Sequence, residues 1–196
     1  GNNLNGNLIA ILLQSNGKAL LTNNDFDDAT DNTTDIQIQP GSVMTTGGGN
    51  QFAGENYYVE NLSATAINIT ADLFDQANKY RVADRIYDAL DNVASGLVRF
   101  DNNNLYVSNP GTGLADEGVQ RAIDAAAATG DIVNIEMGTY PTGANASAKE
   151  VTLAPGASPG CVTLAGDMVL TAGDALAIEI NGTTPCTQYD QFIVNG

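Results

Sequence analysis

The run Ala125-Ala126-Ala127-Ala128 ends at Thr129-Gly130 and passes with no linker into Ile132-Val133-Asn134-Ile135-Glu136, where apolar and polar residues alternate. This junction constrains the fold more than any other stretch. Small side chains let a helix lie flat on the surface it covers, and an alternating strand needs a neighbour for its backbone. Together they describe a helix that covers the open end of a stack of β coils and feeds straight into the first coil, with Gly138 permitting a tight corner. Val119, Ala122, Ile123 and Ala126 form the apolar stripe, Asp116 serves as N-cap and Gly130 as the residue after the C-cap, so a helix is expected over 116–128.

Strand and turn signals fill most of the remaining chain. Strands are expected at Leu8–Leu13, Lys18–Thr22, Asp35–Gln39, Tyr57–Glu60 and Thr65–Thr70, broken by clusters such as Asn23-Asn24-Asp25 and Gly47-Gly48-Gly49. Tyr80, Ala83, Ile86, Tyr87 and Leu90 fall at helical spacing and predict a helix near 79–91. Gly96-Leu97-Val98-Arg99-Phe100, a polar turn at Asp101–Asn104 and a short strand at Leu105–Val107 follow. Beyond the junction come Ile132–Glu136, Glu150–Leu153, Cys161–Leu164, Met168–Leu170, Ala175–Ile180 and Phe192–Val194. Three zones result: β coils over 1–74, a helical linker and cap over 75–129, and β coils again over 130–196.

Charge narrows the function. Among 196 residues, 23 acidic face 7 basic ones, giving a net charge of −16 with no histidine. Such a field repels nucleic acid and anionic lipid. The absence of histidine excludes a Ser-His-Asp triad. Leu8–Leu13, the longest strongly apolar run, is too short to cross a bilayer. Cys161 and Cys186 are separated by about one turn of a solenoid and are expected to form a disulfide, in an oxidising compartment; two buried free thiols are the alternative.

"VQRAIDAAAATGDIVNIEMGTY" (119–140) resembles the helix-then-first-coil segment that opens right-handed parallel β-helices of the pectin-lyase-like class. "RVADRIYDALDNVASGLVRFDNNNLYVS" (81–108) and "LAPGASPGCVTLAGDMVLTAGDALAIEINGTTPCTQYDQFIVNG" (153–196) resemble segments of large secreted and surface-displayed bacterial repeat proteins. The resemblance spans 81–196, and 1–74 only by style. It implies an all-β, right-handed parallel β-helix with two short helices, secreted, in a class made up mostly of adhesins, surface-layer or matrix components. Some β-helix relatives cleave acidic polysaccharides.

Lyase chemistry needs a cationic base beside calcium-binding carboxylates. Of the four arginines, Arg81, Arg85 and Arg121 fall on the expected helices, leaving only Arg99. Asp167, Asp174 and Glu179 are the carboxylates a hydrolase would draw on, and they read as solvated coil corners. The segment "NNDFDDATDNTTD" offers Asp25, Asp27, Asp28, Asp31 and Asp35 as hard oxygen ligands for calcium, without the glycine and terminal glutamate of an EF-hand loop. Asn32, Asn61, Asn68, Asn145 and Asn181 stand in Asn-x-Ser/Thr triplets. Tyr57 and Tyr58 face opposite sides of a strand, so one of them belongs to the core.

Both ends read as unfinished coil. Leu4, Leu8, Ile9 and Ile11 at one end and Phe192, Ile193 and Val194 at the other are the expected contacts of a head-to-tail assembly between copies of the chain. The expectation is therefore a non-enzymatic extracellular structural or adhesive protein, a subunit or repeat of a surface filament. The alternatives are a module that binds or cleaves acidic surface glycans and a calcium-dependent adhesin.

Overall fold

The structure is a computed structural model that describes every residue except 28–29, 112–117 and 157–158. The chain forms two compact units, Gly1–Asn102 and Asn103–Gly196. In the first, the strands run β1 (Ile9–Leu13), β2 (Lys18–Thr22), β3 (Thr34–Ile38), β4 (Val43–Gly48) and β5 (Gln51–Phe52). They continue with β6 (Tyr57–Asn61), β7 (Ile67–Asn68), β8 (Leu73–Phe74), helix α1 (Lys79–Ala83), β9 (Ile86–Tyr87) and β10 (Val98–Arg99). The second unit holds β11 (Asn104–Val107), α2 (Val119–Ala125), β12 (Thr129–Ile135), β13 (Gly138–Tyr140), β14 (Ala144–Asn145) and β15 (Glu150–Pro155). It closes with β16 (Cys161–Leu164), β17 (Met168–Val169), β18 (Ala175–Leu176) and β19 (Gln191–Val194).

Every strand pairs in parallel with a strand one coil away, which makes each unit a parallel β-solenoid. The first unit has a long face of β1-β3-β6-β9, a second face on which β2 pairs with β4 and β7 with β10, and a short third face. That third face is the bridge chain Asn3–Asp25–Gln51 continued by β5 and β8. The second unit repeats the plan with a long face of β11-β12-β15-β18, a second of β13-β16-β19 and a short one of β14-β17. One coil takes from 20 residues (Ile132 to Thr152) to 31 (Ile67 to Val98).

Burial alternates along the strands, so each coil contributes a few apolar side chains to a column shared with its neighbours. Ile36, Ile38 and Val59 are fully buried on the long face of the first unit, and Val133, Ile135 and Leu153 on that of the second. On the short face of the first unit Phe26, Phe52 and Phe74 stack at ring-centroid distances of 5.3 and 5.7 Å, and Phe100 meets Phe74 edge-on at 5.9 Å. Each such pair contributes about 1 kcal/mol beyond the area it buries.

Several boundaries differ from the sequence expectation. The helix expected over 79–91 stops at Ala83, and Ile86-Tyr87 joins the long face beside β6. The helical spacing of Tyr80, Ala83, Ile86 and Leu90 is real as a pattern of burial, for all four are buried. Its cause is a turn of helix followed by a return to the sheet. The second helix spans Val119–Ala125, with Gly118 as N-cap and Ala126 as C-cap; Asp116, the expected cap, lies outside the described residues. Gly130 sits within β12 at φ +87°, where the pairing with β15 slips between Thr129 and Ile132. Gly138 opens β13, and a Cβ there would stand 2.7 Å from the Asn109 side chain, so close approach requires the glycine. β4 was hidden in the sequence because its last residues are glycines, which read as a break.

Candidate functional site: the two open coils

The first coil is built on a motif that recurs once per turn: Asn2-Asn3-Leu4, Asn24-Asp25-Phe26, Asn50-Gln51-Phe52 and Asp72-Leu73-Phe74. The apolar third residue feeds the ring stack. Leu4 heads it, since Leu4 N–H donates to the Asp25 carbonyl at 2.8 Å and Asn3 bridges Asp25. The first residue forms a ladder. Asn2 Nδ2 donates to Asn24 Oδ1 (3.1 Å), Asn24 Nδ2 to Asn50 Oδ1 (2.9 Å), and Asn50 Nδ2 to Asp72 Oδ1 (2.8 Å). The backbone N–H of Asn24 and of Asn50 donates to the same acceptor as its side chain. Asp72 ends the ladder because a carboxylate only accepts.

A second, shorter ladder runs from Asn7, whose N–H and Nδ2 donate to Asn32 Oδ1, to Asn32, whose Nδ2 donates to Asp35 Oδ1 at 2.8 Å. From coil to coil, each asparagine of the two ladders donates its side-chain amide to the Oδ1 of the residue in the next coil. Asn2 and Asn7 are exposed, and by the repeat their own Oδ1 atoms are the acceptors left for an earlier coil.

On β1, Ile9, Ile11 and Leu13 stand in register with Thr34, Ile36 and Ile38, all buried, and so face the interior. Nothing among the described residues pairs with β1 or β2 on the other side. Ile9, Ile11 and Leu13 are only half-buried as a result. Leu12 aligns with Gln37 on the outer face, and exposed Leu8 aligns outward beside Thr33.

The last coil of the second unit is open in the same way. Leu176, Phe192 and Val194 stand in register with the fully buried Leu153, Val162 and Leu164, yet Leu176 and Val194 are 41% and 43% exposed. Ile193, expected to be a contact, aligns with Thr163 on the outer face. Between β18 and β19 the chain leaves the coil in an excursion closed by an antiparallel bridge between Ile180 and Tyr189. Asp190, buried at its base, accepts from Gly160 N–H at 2.6 Å and Glu179 N–H at 2.8 Å. Cys161 and Cys186 form a disulfide that ties this excursion to β16. The pairing is as expected, but the two are not level on adjacent strands: the residue in register with Cys161 is Gln191. Closing a loop of 25 residues stabilises by about 3 kcal/mol in the chain-entropy model, so reduction is expected to lower the unfolding free energy of this unit by that amount. Thiol titration of unfolded, unreduced protein should find no free sulfhydryl.

The acidic segment splits. Asp35 is buried, its Oδ2 accepting from Ala53 N–H (3.0 Å) and Gly54 N–H (2.8 Å), and burial raises it to about 6 despite those hydrogen bonds. Asp27 and Asp31 are exposed, Asp25 is half-buried and accepts from Asp27 N–H, and Asp28 lies outside the described residues. Among the described residues no group of three or more acidic, cysteine or histidine side chains is placed to hold a metal ion.

The other candidates are dispersed. Arg81 pairs with Asp84 and Arg85 with Asp75, while Arg99 lies on β10 and Arg121 on α2. Asp174 accepts from Thr171 and Val151 N–H, and these hydrogen bonds, the one from Thr171 above all, hold its pKa below the ordinary carboxyl value. Glu179 lines a cleft of about 310 Å³ with Asn134, Ala154, Ala177, Ile178 and Asp190. Asn32 and Asn61 are fully buried and hydrogen-bonded, which leaves no accessible amide for a glycan. Tyr58 is the core member of its pair, fully buried, and Tyr57 packs on Tyr87.

No helix among the described residues is long and apolar enough to cross a membrane. No family model, curated protein or solved structure matches this chain.

Proposed function

We propose that this is an extracellular structural or adhesive element of a surface filament, related in kind to the β-helical repeat proteins of bacterial surfaces, in which β coils stack end to end. The observation that carries the reading is the pair of open coils: interior-facing Ile11 and Leu13 on one, Leu176 and Val194 on the other, each in register with buried neighbours and each uncovered. An uncovered coil presents unpaired backbone together with apolar side chains, and stacking another coil on it satisfies both. The disulfide is compatible with the oxidising surroundings that the reading requires. The net charge of −16 favours solubility until that specific contact forms.

Electron microscopy and sedimentation of the intact protein at rising concentration test the reading, and polymers are the expected result. Leu13→Lys and Val194→Lys each place a charge inside the contact and should prevent polymers while leaving folded monomers. Ile193→Lys, on the outer face, should polymerise normally. A protein that stays monomeric at high concentration ends the proposal.

A further inference from the structure

We infer that the contact is directional: the first coil of one copy seats on the last coil of another, with β1 beside β18, β2 beside β19, and Asn3-Leu4 beside β17. The inference rests on the stacking reading above and adds which surfaces meet. Three observations carry it.

The first is the match of faces. In both units the strands follow one another in the same order: a long face whose four strands form one continuous ladder, a second face with fewer paired strands, and a short face with two-residue strands in the middle coils. Superposing long on long leaves one pairing, that of β1 with β18, and fixes the other two. The second is the column of interior side chains. Ile11 and Leu13 end the column that begins below them with Ile36 and Ile38, and Leu176 ends the one that includes Leu153. Joining the two continues one apolar core.

The third observation excludes the symmetric alternatives. The ladders leave Asn2 Oδ1 and Asn7 Oδ1 as acceptors at the open first coil. Two first coils set face to face would run antiparallel and oppose acceptor to acceptor. A coil arriving with the same parallel sense brings backbone N–H groups to those atoms, as Asn24 and Asn50 show within the unit. A contact between two different surfaces propagates from copy to copy, as a filament where the rotation does not close and as a ring where it does.

The test uses the two lysine variants separately and mixed. Leu13→Lys spoils the first coil and keeps the last; Val194→Lys does the reverse. Each alone should sediment as a monomer, and an equimolar mixture should give a one-to-one dimer that grows no further. Val194→Lys dimerising alone would show a first-to-first contact, and Leu13→Lys dimerising alone a last-to-last contact; either overturns the inference while polymers of the unmodified protein leave the stacking reading intact. If the mixture stays monomeric although the unmodified protein polymerises, the inference also fails. Register is read by adding Leu12→Cys to the Val194→Lys variant and Ala177→Cys to the Leu13→Lys variant. Setting Ile11 beside Leu176 places these outward positions side by side, so the mixed cross-link should exceed the Leu12→Cys self-link by about tenfold.

Discussion

Replacing Asn50 by leucine is expected to destabilise the first unit by about 4 kcal/mol. Asn50 is fully buried, and its Oδ1 accepts from both the N–H and the Nδ2 of Asn24. Its Nδ2 donates to Asp72 Oδ1 and to the Leu21 carbonyl. Leucine strands two donors above it and leaves a buried carboxylate below with one donor fewer. Urea unfolding should show a lower midpoint with an unchanged slope. Asn2→Ala, at the exposed top rung, should cost under about 1 kcal/mol, because water replaces what is lost. Equal effects at the two positions would mean that the ladder is not what holds these coils in line.

The second large effect is a stability that rises on acidification. Asp88 and Asp35 are buried without a cation, and burial raises them to about 7 and about 6. Asp88 accepts from Leu90 N–H and Val98 N–H, and neighbouring Asp91 adds to the upward shift. In the unfolded chain both titrate near 4, so between those limits the folded state holds more protons than the unfolded one. Stability is then greatest below about pH 4 as far as these two groups decide it, falls as pH rises through about 6 and 7, and levels off above that. The span is a few kcal/mol. Asp88→Asn should flatten the upper part of the profile and leave the part due to Asp35. A midpoint independent of pH between about 4 and 8 would show that neither carboxyl is held protonated by the fold.

How much of this was legible beforehand follows from what each signal measures. Strand positions were legible where a short apolar run lies between turn residues, so Lys18–Thr22 and Cys161–Leu164 fall where expected. Ile86 and Leu90 misled because periodicity reports burial, and a chain that turns a corner can mimic a helix's stripe over a few residues. Strands of two residues, such as β5 and β8, are too short to show any period. The ladder was not legible: an Asn or Asp two places before Leu or Phe occurs at 2, 24, 50 and 72, but also at 88, 103, 174 and 190, where it builds no such ladder. Asn-rich stretches carry the same composition as turns, so only the structure tells a ladder rung from a turn residue. At the chain's last strand, only pairing register separates inward Val194 from outward Ile193.

The disulfide has a mechanical consequence if copies are linked in series. Cys161 and Cys186 bracket 25 residues of separation, about 80 Å of extended backbone. Under tension, unravelling from either side can draw out chain only as far as the sulfur bridge, and the bracketed length stays gathered until that bond is reduced. Single-molecule stretching should therefore record a contour length about 80 Å longer in the presence of a reducing thiol than in its absence.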